Sequence, residues 1–363
     1  MGKVAIITGA SGQDSLTLSR YLINSHNYTV YATTRRSARP QSSHVLKLLN
    51  DFPNKYKLIN ADITDMSSVI EAINIAKPDE FYNLGAQSHV GLSFKEPIST
   101  AQITGLGVLN CLEAIRKTNP LIRFYQASSS EMFGGTKGID RKKYDYDSID
   151  SELIKNGDFL DSKSLSEGFL IAEIDESTPF SPRSPYACAK VFGHTLTTNY
   201  REAYNMHASC GILFNHEGIY RKPDFVTRKV TIAATKILLK QQEKLKLGTL
   251  DFARDWGCAD DYVVAMHAML QQNKADDYVV ATGKIHTGIE LLNEAFGAYG
   301  LNWKDYVELD KEFTRPSDVK VLIGDASKAK QKLNWEHKTT FKELISRMLN
   351  HDYNTIINGG ILE

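Results

Sequence analysis

An α/β fold, with a doubly wound parallel sheet and a smaller C-terminal α/β lobe, is what three features of the sequence predict. Strand-like runs alternate with helical patterns through the first half of the chain. Those strands are apolar almost throughout, as strands covered on both faces are, rather than alternating in and out. The first of them runs directly into the glycine turn "TGASGQD" (Thr8–Asp14), which opens a helix. Strand, glycine turn and helix in that order begin a Rossmann-type half.

Each element follows from its pattern. "KVAIITG" is the first strand, "LTLSRYLINS" its helix and "YTVYATTR" the second strand. "YKLINAD" and "DEFYNLG" extend the sheet on either side of the helix "MSSVIEAINIA". "TAQITGLGVLNCLEAIRK" reads as one long helix leading to the strand "IRFYQASSS". Residues 135–181 break the rhythm: they are polar, charged and weakly periodic, so an exposed excursion is expected, with a lid or partner contact as the sharper alternative. A helix over "YACAKVFGHTLTTNYREAY", a strand "ASCGILF" and a helix "FVTRKVTIAATKILLKQQ" follow. Shorter elements to the end form a lobe over the carboxyl ends of the strands, where ligands sit in open α/β sheets. The expected division is 1–205, mainly dinucleotide-binding with the 135–181 insertion, and 206–363, mainly substrate-binding and interleaved with the first.

Composition narrows the function. Among 363 residues, 43 Lys+Arg balance 43 Asp+Glu, which disfavours a nonspecific nucleic-acid binder. No apolar run reaches the ~20 residues of a membrane span, so no membrane partner is expected. The start "MGKVAIITGASG" enters a strand with no charged leader, and Gly2 is read as preceding a buried strand rather than as a lipidation site. Cys111, Cys188, Cys210 and Cys258 are scattered without a CxxC pair, so neither a metal site nor a disulfide framework is expected, and the setting reads as reducing and cytoplasmic.

The glycine turn points to a dinucleotide. Gly9 and Gly12 permit a tight turn and close approach of backbone N–H groups to a pyrophosphate at the helix start. Ser15 stands where such loops often carry a further glycine, which puts a small side chain at the helix–sheet contact. After the second strand, "TTRRS" places Arg35 and Arg36 where an acid would accept from a ribose 2′-hydroxyl, and two cationic forks favour a 2′-phosphate, hence NADP over NAD. Asp62, after the third strand, can accept from the adenine amino group.

The chemistry reads from "YACAK" and "SSSEMFG". Tyr186 and Lys190 are one helical turn apart on one face. Lys190 and a positive nicotinamide ring are expected to lower the Tyr186 pKa, so that the phenol takes a hydroxyl proton as hydride leaves the same carbon. A serine at the end of "IRFYQASSS" holds that hydroxyl, and Glu131 follows as a second candidate base.

These residues, together with "PDEFYNLGAQSHVGLSF", "GILFNHE", "FVTRK", "RDWG", "RPSDV" and "GDASKAK" in order along nearly the whole chain, resemble the GDP-mannose 4,6-dehydratase family of extended short-chain dehydrogenases/reductases. The resemblance implies Tyr186 as the base for C4 oxidation with Lys190 as its partner, and Glu131 as the base at C5 that also helps water leave from C6. Ser129 falls at a family threonine, keeping the hydroxyl but losing rotamer restriction. Cofactor contacts are implied for Gly9, Ala10, Ser11, Gly12, Gln13, Asp14, Arg35, Arg36, Asp62, Ile63, Leu84, Gly85, Ala86, Gln87, Ser88, Tyr186, Lys190, His216 and Arg221. Substrate contacts are implied for Ser88, Ser129, Glu131, Asn215, Lys229, Arg254, Arg315 and Asp318. Asp318 replaces a family glutamate, Ser99 a tyrosine, and "EGIY" before Arg221 a Pro-Arg turn. The loop "SARPQSSH" matches a segment that reaches a neighbouring subunit, which implies a homotetramer built as a dimer of dimers.

The resemblance implies an NADP-dependent dehydratase of GDP-mannose in deoxysugar biosynthesis. A dehydratase of a larger GDP-sugar such as a manno-heptose, a nucleotide-sugar 4-epimerase, and a silent NADP-binding sensor are the alternatives. A 4-epimerase needs the tyrosine but no base at C5, so Glu131 favours dehydration. Guanine recognition rests on the resemblance alone.

Overall fold

The computed structural model describes residues 2–36, 41–134, 173–250, 252–310, 319 and 321–362. Seven parallel strands form the main sheet: β1 (Val4–Ile7), β2 (Thr29–Thr34), β3 (Tyr56–Asn60), β4 (Glu80–Asn83), β5 (Arg123–Ser129), β6 (Ala208–Leu213) and β10 (Asp277–Val280). Their spatial order is β10-β6-β5-β4-β1-β2-β3. The winding reverses between β1 and β4, which opens a crevice at the carboxyl ends of those strands.

Both faces are covered, as the apolar strands require. On one side lie α1 (Gln13–His26), α2 (Ser43–Asp51), α9 (Ala259–Gln271) and α11 (Ser327–Leu333), which pack Leu16, Val45, Met266 and Leu333 around Tyr82 and Tyr125. On the other lie α3 (Met66–Ala76), α6 (Gly107–Thr118) and α7 (Pro185–Tyr204), with Val69, Leu112 and Tyr200 against Phe81 and Phe124. Between β4 and α6 run α4 (Val90–Lys95), α5 (Pro97–Thr100) and a π-helical turn, Ala101–Leu106. The expected single long helix therefore carries a π segment. Gly107 follows it, and a Cβ there would come within 2.9 Å of Ile63. By length and composition alone 97–118 could cross a membrane. Half of that window is buried, and the run packs on α3 and α7 as a core helix.

The lobe is built on β9 (Ala253–Cys258). It pairs with β7 (Asn215–Glu217), β11 (Ile285–Thr287) and β13 (Val321–Leu322). β8 (Leu245–Leu247) and β12 (Val307–Leu309) pair separately. α8 (Val226–Leu238), α10 (Gly288–Gly297) and α12 (Phe341–Ile357) enclose Trp256 and Phe296. β6 and β10 lie beyond residue 205 yet belong to the main sheet, and this interleaves the two parts. Most of the 135–181 insertion lies outside the described residues. Its end returns at Ile174, which bridges Gly324, and at Ser181, whose amide donates to the Met132 carbonyl at 2.9 Å.

At the opposite end of the sheet from the crevice, Glu80 is fully buried. Lys3 (2.9 Å), Gln271 (3.0 Å), Tyr28 (3.0 Å) and Tyr82 (2.7 Å) all donate to it. Burial alone would push this carboxyl up, but hydrogen bonds from Lys3, Gln271 and Tyr82 hold it below its ordinary value. Its folded pKa is depressed, so its stabilisation is present above the unfolded value of ~4.3 and is lost as pH falls through the folded one. Glu80→Gln is expected to lower unfolding free energy by ~2 kcal/mol at pH 7 and to lose that difference progressively below ~pH 4. Urea titration at both pH values checks this, and a constant difference would assign the loss to packing.

Candidate active site

The crevice begins at the turn after β1. Gly9 has φ 81°, and a Cβ there would meet the Gly85 Cα at 3.3 Å, so this position needs glycine on both counts. Gly12 caps α1 without a side-chain bond, which leaves the amides of the first helical turn directed into the crevice. Ser15 is buried at the helix–sheet contact. The Thr8 hydroxyl accepts from the Leu84 and Gly85 amides at 2.9 and 2.7 Å, and so ties the second loop, Leu84–Ser88, to the first. Thr104, in the π turn, braces that second loop from behind by accepting from the Gln87 amide at 3.0 Å. A glycine cradle under an uncapped helix start is what a dinucleotide pyrophosphate needs, so the residues present fit that group.

Further along the crevice, Arg35 and Arg36 are exposed just past β2. Asp62 Oδ1 accepts from the Thr64 amide and hydroxyl at 2.9 and 2.8 Å, which occupies one carboxyl oxygen in a local turn. Ile63 is buried beneath Gly85, Ala86 and Gln87 are partly buried, and Ser88 is exposed.

The reactive groups meet where β5 ends. Ser184 caps α7 by accepting from the Ala187 amide at 3.1 Å, and Pro185 fits the first helical position. This start fixes the face that carries Tyr186 and Lys190. Ser129 lies near enough to the Tyr186 hydroxyl to favour its ionised form. The same Ser129 Oγ accepts from the Glu131 amide at 3.3 Å and caps the short 3₁₀ turn Ser130–Phe133. Met132 and Phe133, both fully buried, anchor that turn, so the partly exposed Glu131 sits beside Ser129 on fixed backbone.

Without a cofactor, burial dominates the tyrosine. It pushes the Tyr186 hydroxyl up to about 12; Ser129 and Arg221 oppose this, while Glu131 and Asp14 add to it. Lys190 sits one turn further along the helix. Its ammonium donates to the Ala127 carbonyl at 2.6 Å and lies 5.7 Å from the phenol ring centroid. Burial brings the ammonium itself down to about 8, against the pull of Asp14.

A second cluster joins the cofactor turn to the lobe. His216, on β7, has Nδ1 2.8 Å from the Phe214 carbonyl and Nε2 3.0 Å from Asp14 Oδ2. Both partners accept, so the arrangement calls for two ring protons, and the imidazolium stacks on Tyr262. Burial would lower the His216 pKa, but the charge and hydrogen bond of Asp14 raise it overall. Burial would likewise raise Asp14, but His216, Gln13 and Arg221 hold it at about 2. Arg221 lies with Nε 2.9 Å from Glu217, out of line for a hydrogen bond, and its guanidinium packs 3.5 Å from the Phe225 ring centroid.

The remaining predicted residues lie on the lobe side. Asn215 opens β7 opposite Trp256, Lys229 is partly buried on α8, and Arg254 is buried on β9. Arg315 and Asp318 lie outside the described residues, as do residues 37–40 of the loop after Arg36. His194, Cys210 and Asp277 bring ligand atoms within 4.8 Å of one another. However, Arg201 grips Asp277 with bonds of 2.9 and 2.8 Å and Ser128 bonds His194 Nδ1 at 2.9 Å, so this group is already committed and does not fit a metal. Sequence reasoning passed over Asn83 and Gln126. An amide near the carboxyl end of each of two neighbouring apolar strands was the available signal.

Comparison with known proteins bears on this geometry. The family model for GDP-mannose 4,6 dehydratase matches residues 6–144 and 170–348. GDP-mannose 4,6 dehydratase 2 of Arabidopsis thaliana is 44% identical over 358 residues, 96% of this chain and 87% of that protein. Among solved structures, a dTDP-glucose 4,6-dehydratase from Bacillus anthracis in complex with NAD superposes with TM-score 0.77 at 18% identity, covering 96% of each chain. A UDP-glucose 4-epimerase from Thermotoga maritima also gives 0.77, at 19% identity over 97% of this chain and 99% of that one. The fold is thus shared by a dehydratase and an epimerase, and it does not separate the two reactions.

The His216–Asp14 pair has a defined pH window. The raised His216 pKa contributes stability that is complete below the unfolded value of ~6.5 and is lost as pH rises through the folded value. The depressed Asp14 pKa contributes above ~3.9 and is lost as pH falls. Imidazole nitrogen NMR should find His216 protonated above pH 6.5, and Asp14→Asn should bring its titration down by about one unit. An unmoved His216 titration in that variant would refute the pairing.

Proposed function

The chain belongs to the GDP-mannose 4,6-dehydratase family, and from that premise we propose that it removes one molecule of water from GDP-mannose, giving the 4-keto-6-deoxy sugar nucleotide. The observation that carries the reading is the place of Glu131: its amide donates to Ser129 Oγ at 3.3 Å, and both Ser129 and Glu131 act on the Tyr186 phenol. Two candidate bases thereby share one end of the crevice. A 4-epimerase has no use for the second.

A nicotinamide dinucleotide, when bound, supplies the chemistry of accepting hydride from C4 and returning it to C6. Tyr186 takes the proton of the C4 hydroxyl while Ser129 holds that oxygen. The new ketone acidifies the C5 hydrogen, because the carbanion delocalises into it. Glu131 takes this proton and passes it to the departing C6 hydroxyl, so one water leaves and a C5–C6 double bond forms. The proton held on Tyr186 returns to C5 through exchangeable groups and balances the hydride added at C6.

The further assignments belong to the same proposal. The turn Gly9–Asp14 and the loop Leu84–Ser88 hold the dinucleotide, with His216 and Arg221 closing the site from the lobe. Arg35 and Arg36 select NADP through its 2′-phosphate. Asn215, Lys229, Arg254, Arg315 and Asp318 receive the nucleotide sugar. A homotetramer is implied by the match of the loop "SARPQSSH", and the exposed Ile98, Leu106 and Phe192 on α5, the π turn and α7 offer apolar surface for a subunit contact. Four cysteines without a disulfide agree with a reducing cytoplasmic setting.

Incubation with GDP-mannose and NADP should yield a product lighter by one water, carrying deuterium at C5 when the reaction runs in heavy water. Glu131→Gln is expected to reduce that product ~10²–10⁴-fold. A product of unchanged mass epimerised at C4 would overturn the dehydratase reading, and turnover of a larger GDP-sugar alone would revise the substrate. Replacing Arg35 and Arg36 together by serine should weaken NADP binding by at least about tenfold while leaving NAD binding nearly unchanged, as titration of intrinsic fluorescence would measure.

A further inference from the structure

We infer that Gln126 is a positioning residue for Lys190: its side-chain amide and the lysine ammonium share the Ala127 carbonyl, and the amide is held in place by a buried chain through Asn83 to Thr8. The inference rests on the reading that Lys190 serves the Tyr186 site.

The direction of every hydrogen bond in this chain is determined. Thr8 Oγ1 already accepts from the Leu84 and Gly85 amides, so its single proton goes to Asn83 Oδ1, 2.8 Å away. With its oxygen accepting, Asn83 presents Nδ2 to Gln126 Oε1 at 2.9 Å. Gln126 Nε2 is thereby left to donate, and it meets the Ala127 carbonyl at 3.0 Å. Lys190 Nζ donates to the same carbonyl at 2.6 Å. No amide can flip without placing two donors or two acceptors face to face. Thr8, Asn83 and Gln126 are all buried, so a broken link finds no bulk water to replace it.

Lys190 needs such a device for a geometric reason. The β4–β5 register ends at Asn83 opposite Gln126, because β4 leaves the sheet there to form the cofactor loop. Beyond that point the Ala127 carbonyl is met by two side chains. A lysine head rotates freely about its last bond, and one N–H fixed on an oriented carbonyl aims the other two. Thr8 also ties the loop after β4 to the glycine turn, so this chain sets the Lys190 position relative to the cofactor loops. The groups that face Lys190 are Asp14 from the start of α1 and Tyr186 one turn earlier on α7; Glu131 and Arg221 act on Tyr186 from the turn after β5 and from the lobe.

The test uses Gln126→Met, which keeps length and volume but removes the amide. In cofactor-free protein, NMR titration of the Lys190 side chain should move by about half a pH unit or more. In the holoenzyme, kcat should fall about tenfold with KM for GDP-mannose within about twofold, and the limb of the pH profile that follows the tyrosine–lysine pair should shift with it. In a Lys190→Met background the Gln126 change should cost little more, because the two act in series. Gln126→Leu serves where the methionine variant does not fold, and the Lys190 titration should move in it by a similar amount. A folded variant with an unmoved Lys190 titration, whether or not its melting temperature drops, would reduce Gln126 to packing and overturn the inference. Full turnover by Lys190→Met would instead overturn the reading of the site itself.

Discussion

The Thr8 hydroxyl is the tie on which the crevice depends. Where the winding of a parallel sheet reverses, two strand ends part and their loops leave toward opposite faces. Nothing in the ladder holds those loops together, since β1 and β4 stop pairing at Ile7 and Tyr82. One hydroxyl accepting two amides and donating its proton closes the gap, with all of its hydrogen-bonding capacity committed. The glycine turn and the Leu84–Ser88 loop are held in register by that bond, and Gly9 and Gly85 then approach as closely as two backbones without side chains can. A site for an extended anion follows from this spacing rather than from any single basic residue.

The opposite wall comes from the lobe, and its position is set by continuity of the chain. β6 leaves the main sheet at Leu213, and within two residues β7 has begun pairing with β9. Two polar contacts keep that crossing from hinging freely. His216 reaches back to Asp14, 202 positions earlier, with an ion pair at 3.0 Å. Asp255, in the middle of β9 and fully buried, accepts from Thr282 at 2.9 and 2.6 Å and from the Gly283 amide at 2.9 Å, which fastens the lobe strand to the segment leaving β10. Residues on β7 and just after it therefore stand over the cofactor turn with little freedom to withdraw.

Much of this could be read before any coordinates, and the limits have physical causes. The first strands were legible because burial on both faces makes them apolar throughout, and α1 and α3 because their apolar positions recur at helical spacing. Parts of the lobe sheet were not, because β7 and β11 have only three residues each, too few for any period to emerge, and β9 was visible only as the motif "RDWG". The π turn was hidden for a different reason: "TAQITGLG" is helical in pattern, and local spacing does not tell a π turn from an α-helical one. Tyr186, Lys190, Ser129 and Glu131 were identifiable as residue types at a spacing. That the Lys190 ammonium meets the Ala127 carbonyl depends on where β4 ends, and no local pattern encodes that.

The electrostatics of the two bases then follow from their closeness. Glu131 donates its amide to Ser129, and its carboxylate disfavours the nearby Tyr186 phenolate, adding to the effect of burial. Both cannot be anionic at low cost so close together. A dehydration run in steps confines that demand to its two ends. Tyr186 is neutral once it has taken the C4 proton, and that is the moment when Glu131 must act as a base at C5. The carboxylate is restored when the C6 hydroxyl leaves with its proton, and the phenol gives its own proton up only at the last step, to C5. The repulsion that makes the tyrosine a reluctant base alone also keeps it protonated until a substrate hydroxyl bonds to it, so deprotonation is coupled to binding. Lys190, brought by burial to about 8, is close enough to neutrality to respond to the same event. A site that keeps its first base protonated until the substrate hydroxyl arrives, with the second base beside it on fixed backbone, suits two proton abstractions from adjacent carbons.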